Sequence, residues 1–129
     1  MRDVRATNGG GLRVLLVEDH AESAASIARL LTLFGYDVRV EYDGPAAIRL
    51  ASSFAPEAAL IDLTLPSMDG CVVAERLRAL PETRHALLIA MTGWTTDDHA
   101  QRARAAGFDL HLVKPLSVET LVGALTVHA

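Results

Sequence analysis

The chain has 129 residues, with 12 lysines and arginines against 16 aspartates and glutamates, for a formal net charge of −4. That length suits one domain with one core, and a content of 50% hydrophobic and 22% charged residues excludes a disordered chain. The acidic balance and an aromatic content of only 5% argue against a partner bound through nucleic-acid phosphates or stacked bases.

Cys71 is the single cysteine, so neither an internal disulfide nor a cysteine-based zinc site can form. The longest apolar runs, such as Ala86 to Met91, are too short to span a bilayer. The opening MRDVRATNGGG has no apolar segment and is not a secretory signal. A reducing, cytoplasmic setting is the expectation. Residues 1–11, with Gly9 to Gly11, read as a flexible tail or linker, and 12–129 as one domain.

Leu12 to Val17 is apolar apart from Arg13 and reads as a strand buried on both faces. Ile27, Leu30, Leu31 and Phe34 then fall on one face of a helix that Gly35 stops. Asp37 to Glu41 alternates, as a half-exposed edge strand does. Pro45 suits the start of a helix running to about Ser53. Ala58 to Ile61 is a second buried strand, and Asp69 can cap a helix carrying Val73 and Leu77. Ala86 to Met91 is a third. Thr95 and Asp98 resemble a capping box ahead of a helix ending at Gly107, on which Ala100, Ala103 and Ala106 make a thin stripe. Leu110 to Val113 is the last candidate strand, and Ser117 can cap a helix with Leu121 and Leu125 on one face.

Strand and helix thus alternate through the chain, which predicts an open, doubly wound α/β sheet with right-handed crossovers. In such sheets the functional crevice lies at the carboxyl ends of the strands. Glu18 and Asp19 end the first strand, Asp62 the third, Thr92 the fourth, and Lys114-Pro115 the fifth. Three carboxylates converging on one rim repel each other and need cationic balance. Lys114 supplies part of it, and a hard divalent ion such as Mg²⁺ suits the oxygen donors. The Thr92 hydroxyl can donate to an incoming anion. This grouping suits phosphoryl transfer onto an aspartate, with metal and lysine neutralising the transferring oxygens.

The sequence resembles the receiver domain of bacterial two-component response regulators. The resemblance rests on Val14-Leu15-Leu16-Val17-Glu18-Asp19, on Ile61-Asp62-Leu63-Thr64-Leu65-Pro66-Ser67-Met68-Asp69-Gly70, on Ala90-Met91-Thr92-Gly93 and on Val113-Lys114-Pro115. It implies a flavodoxin-like five-stranded parallel sheet in the order 2-1-3-4-5. It implies Asp62 as phosphoacceptor and a Mg²⁺ site made by Asp19 directly, Glu18 through water, Asp62, and the backbone carbonyl of Thr64. Thr92 and Lys114 match the hydroxyl and the lysine that engage the phosphoryl group. The Lys114–Pro115 peptide is expected to be cis, as is typical of the family. His111 stands where many relatives carry a Tyr or Phe that changes rotamer on activation, and strand parity points it away from the face of Lys114.

The resemblance further implies a phosphoryl donor that is a histidine kinase or histidine phosphotransfer protein, and a downstream protein target. The domain would be a switch, not a metabolic enzyme, and a monomer or a weak phosphorylation-dependent dimer, with neither nucleic acid nor membrane as direct partner. It would be either a stand-alone regulator or the receiver of a hybrid kinase. A haloacid-dehalogenase-type phosphatase wants a second aspartate two residues after the nucleophile, where this chain has Thr64. A flavin-binding domain of the same fold wants a phosphate-cradling glycine loop, and none follows the first strand. Trp94 and Thr64 flank the expected site two residues beyond Thr92 and Asp62, and a bulky Trp94 screening water predicts a long-lived phosphoryl group. His20 is expected to cap or flank the first helix. The thinly anchored fourth helix, the fifth strand and the last helix are the expected readout face.

Overall fold

The computed structural model describes residues 11–93 and 96–127. The expected roles of Trp94 and Thr95, and most of the expected tail, lie outside the described residues. Gly11 is already part of the fold, since its N–H donates to the Gly35 carbonyl at 2.8 Å.

The strands are β1 (Arg13–Val17), β2 (Asp37–Glu41), β3 (Ala58–Asp62), β4 (Leu87–Thr92) and β5 (Leu110–Val113). They alternate with α1 (Ala21–Leu33), α2 (Gly44–Phe54), α3 (Gly70–Ala79), α4 (Asp97–Ala106) and α5 (Val118–Val127). All four strand pairs are parallel, and the sheet order is β2-β1-β3-β4-β5. β4 starts one residue later than the apolar run implied. Ala86 is held in the preceding turn, its N–H on the Thr83 carbonyl and its own carbonyl on Arg78.

Alternate residues of the central strands feed two hydrophobic layers. Leu15, Val17, Ala59, Ile61, Leu88 and Ala90 pack under α2, α3 and α4. Val14, Leu16, Leu60, Ile89 and Met91 pack under α1 and α5, around Leu31, Leu121 and Leu125. The central strands are therefore uninterrupted apolar runs because both faces are covered. β2 is at one edge and keeps its alternation, with Val38 and Val40 inward.

Helix ends follow local chemistry. The Nδ1 of His20 caps α1 by accepting from the Ser23 N–H, and Gly35 at φ +93° ends it. Asp43 caps α2 through Ala46, Asp69 caps α3 through Cys71, and Ser117 Oγ accepts from the Thr120 N–H at the start of α5. The cap of α4 is Thr96, whose Oγ1 accepts from the His99 N–H. Asp98 of the expected capping box lies in the first turn, while Thr95 lies outside the described residues. Gly70 is required by packing: a Cβ there would come within 2.4 Å of the Asp62 carbonyl oxygen. The absent side chain lets α3 begin hard against the end of β3.

Candidate active site

Register and parity build the site. Val17 pairs with Ile61, so Glu18 and Asp62 emerge side by side from β1 and β3. Both continue the face of Val14, Leu16, Ala58 and Leu60, and Lys114 follows Leu110 and Leu112 onto that same face. Lys114 Nζ donates to Glu18 Oε1 and to Asp62 Oδ2, each at 2.8 Å. Its own backbone N–H donates to the Thr92 carbonyl at 2.7 Å, which sets the loop after β5 against the end of β4. The Lys114–Pro115 peptide is cis, as expected.

The second oxygens of the two acids are also partnered. Glu18 Oε2 accepts from the His20 N–H at 3.1 Å, and Asp62 Oδ1 accepts from the Thr64 N–H at 2.8 Å. Glu18 is 1% exposed and Asp62 6%, so these bonds replace lost water. Both donors are backbone amides, which no residue letter announces. Asp19 is exposed, and its carboxylate has no hydrogen bond or ion pair among the described residues.

Glu18, Asp19 and Asp62 each bring a carboxylate oxygen within 4.8 Å of the others. Three carboxylates against one ammonium leave a formal −2 at one crevice. A hard divalent cation matches both that charge and the all-oxygen donor set. In the loop after β3, the Leu63 carbonyl accepts from Gly70, whereas that of Thr64 accepts no hydrogen bond among the described residues. That carbonyl is therefore available as a further oxygen donor. Burial pulls the Lys114 ammonium down, but its hydrogen bonds to Asp62 and Glu18 outweigh this and lift its pKa above the ordinary lysine value. It stays a cation throughout the physiological range.

Thr92 is 3% exposed and ends β4 on the opposite parity from Met91, which places its side chain on the other side of the crevice from Lys114. His111 pairs with Ala90, so it faces the α4 side while Leu110 and Leu112 pack under α5. This is the face that parity predicted. Its Nε2 is buried and has no hydrogen-bond partner among the described residues. Burial and the neighbouring His99 push its pKa below the ordinary histidine value. Cys71 sits in the first turn of α3, where burial and the Asp69 carboxylate raise its thiol pKa, as befits a packing residue.

Residues 14–126 match the family model of the response regulator receiver domain. The chain belongs to the receiver-domain family. It is 33% identical over 114 residues to the transcriptional regulatory protein PdtaR of Mycobacterium tuberculosis, covering 88% of this chain and 54% of that protein. It is 29% identical over 127 residues to the sensor histidine kinase RcsC of Salmonella typhimurium, covering 98% of this chain and 13% of the kinase. The receiver thus spans about half the length of the one relative and about an eighth of the other. Among solved structures it resembles the receiver domain of the sensor histidine kinase PA1611 from Pseudomonas aeruginosa, with TM-score 0.84, 31% identity, and coverage of 91% of this chain and 96% of that one. That structure is described with a magnesium ion coordinated in its active site cleft. The receiver fold and the two-component family expected from the four motifs therefore stand.

Proposed function

We propose that this receiver accepts a phosphoryl group onto Asp62 from a histidine kinase or a histidine phosphotransfer protein, with Mg²⁺, and thereby switches a protein-interaction surface. The observation that carries this reading is the Lys114 ammonium shared between Glu18 and Asp62, 2.8 Å from each, beside the exposed Asp19, which has no partner among the described residues. Purely structural carboxylates would be neutralised within the fold, and here a formal −2 is left over.

Asp62, Asp19, Glu18 and the Thr64 carbonyl are the groups that would hold Mg²⁺. Bound there, the ion supplies charge that neutralises the phosphoryl oxygens. An Asp62 carboxylate oxygen attacks phosphorus. The P–O bond forms as the P–N bond of the phosphoimidazole breaks, and the departing imidazole keeps the electron pair and takes a proton from solvent. Lys114 exchanges part of its contact with Asp62 for a phosphoryl oxygen, and the Thr92 hydroxyl donates to another. The readout is the face of α4, β5 and α5, with His111 as its switch residue. The domain is a cytoplasmic switch that catalyses its own phosphorylation and dephosphorylation, not a metabolic enzyme.

Intact-mass spectrometry after incubation with acetyl phosphate tests this. One phosphoryl adduct that requires Mg²⁺ and disappears in Asp62→Asn is expected. No adduct after prompt cold quenching, or an adduct retained in Asp62→Asn, would rule the reading out.

A further inference from the structure

At the pole opposite Asp62, where β3, β4 and β5 begin, a cleft of about 580 Å³ opens between the ends of α3 and α4. Its walls are unusually well organised for a loop region. Arg78, in the last turn of α3, uses every N–H of its guanidinium. Nε and Nη2 donate to the Gly107 carbonyl, Nη2 also to Asp109 Oδ2, and Nη1 to the carbonyls of Arg84 and Ala86. Thr83 is fully buried and its hydroxyl donates to the Leu77 carbonyl. The loop between α3 and β4 is thereby pinned from two sides.

That pinned loop presents Arg84 and His85 outward, and α4 presents Arg104 from the other wall. None of these three side chains has a hydrogen bond or an ion pair among the described residues. Both acids on the rim are already committed, Glu57 to Arg13 and Asp109 to Arg78 and the Leu88 N–H. A helix C-terminus attracts cations, which accounts for Arg78 and for the position of Arg104. It does not account for Arg84 and His85, which lie beyond the helix in the loop. On a chain of net charge −4, this is a localised cationic surplus held on a rigid frame.

We infer that this cleft is a binding site for a multiply charged phosphate anion of the pyrophosphate or nucleoside-diphosphate class. Guanidinium pairs grip phosphate oxygens bidentately, and their planes also accept a stacked base. The volume lies in the range of small-ligand sites. The preformed frame means little ordering cost on binding. This inference is independent of the chemistry at Asp62.

The test is an amide-resolved NMR titration of the whole chain with pyrophosphate, with EDTA present so that no divalent ion bridges ligand and carboxylates. Shifts at Arg84, His85, Arg104 and Asp109 are expected. Affinity should fall roughly tenfold or more in Arg84→Gln/Arg104→Gln, whose spectrum elsewhere reports an intact fold. It should also weaken steeply at roughly 0.5 M salt. Parallel titrations with ADP separate the sources: tighter binding than pyrophosphate points to a nucleotide, equal binding to the free anion. Silence at millimolar pyrophosphate, shifts confined to Thr92 and Lys114, unchanged affinity in the double variant, or acetate binding as tightly as pyrophosphate would each overturn the proposal.

Discussion

Among the described residues near the crevice, the surroundings of His111 and Asp19 leave a demand unmet. The His111 Nε2 is buried without a partner among the described residues, and burial together with His99 lowers the ring's pKa below 6.5. Well above pH 6.5 the ring is largely neutral in both folded and unfolded chains. As pH falls through 6.5 the unfolded chain takes up a proton that the folded one resists, so stability declines. His111→Phe removes that linkage. Denaturant titrations at a series of pH values between about 7.5 and 5.5 should therefore show a shallower loss for the variant than for the native chain. An identical slope in both would assign the acid sensitivity elsewhere. Asp19 contributes repulsion to Glu18 and Asp62 with no hydrogen bond in return. Asp19→Asn is expected to melt higher than the native chain in EDTA and to lose the stabilisation that Mg²⁺ confers. For the native chain that stabilisation amounts to about 1.4 kcal/mol at tenfold excess over the dissociation constant. Thermal melts with and without Mg²⁺ check both signs, and a lower melting temperature for the variant in EDTA would contradict the first.

Among the elements, the junctions are held by polar side chains that reach across the chain, and Arg78 is the plainest case. Its five hydrogen bonds tie the end of α3 to the start of β4 and to the turn before β5. Arg78→Ala strands several carbonyls and the Asp109 carboxylate, and should cost about 2–4 kcal/mol in urea unfolding. Arg78→Lys should recover little of it, because an ammonium cannot reproduce the planar fork. Full recovery by lysine would mean that charge alone matters there. Nothing in the sequence marked this residue, because most of its partners are backbone carbonyls. The long elements were legible for the opposite reason. β1, β3 and β4 carry their burial on their own letters, and α1 shows its stripe in Ile27, Leu30, Leu31 and Phe34. The polar rim was legible too, since Glu18, Asp62, Thr92 and Lys114 each directly follow or close an apolar run. What escaped were the choices between adjacent candidates. Two adjacent threonines offer the same hydroxyl in the letters alone, so the sequence did not single out Thr96, whose hydroxyl accepts from the His99 N–H. The Thr64 and His20 amides that hold Asp62 and Glu18 carry no signature at all.

For the whole molecule, one sheet serves both hydrophobic layers, so neither layer can be lost alone. Leu31 of α1 and Leu77 of α3 lie on opposite sides of the sheet, and both are fully buried. Leu31→Ala and Leu77→Ala should each destabilise by about 2–5 kcal/mol. Both should shift a single transition, with circular dichroism and hydrogen exchange reporting the same midpoint. Two separate transitions in either variant would show that the layers unfold independently. The sheet also ends somewhere, and its free margin at β2 presents Asp37, Arg39 and Glu41 beside the inward Val38 and Val40. A foreign strand adding to that margin would have to bring its own backbone alongside this row of mixed charge. Such an arrangement is how proteins discourage their sheets from growing by accretion.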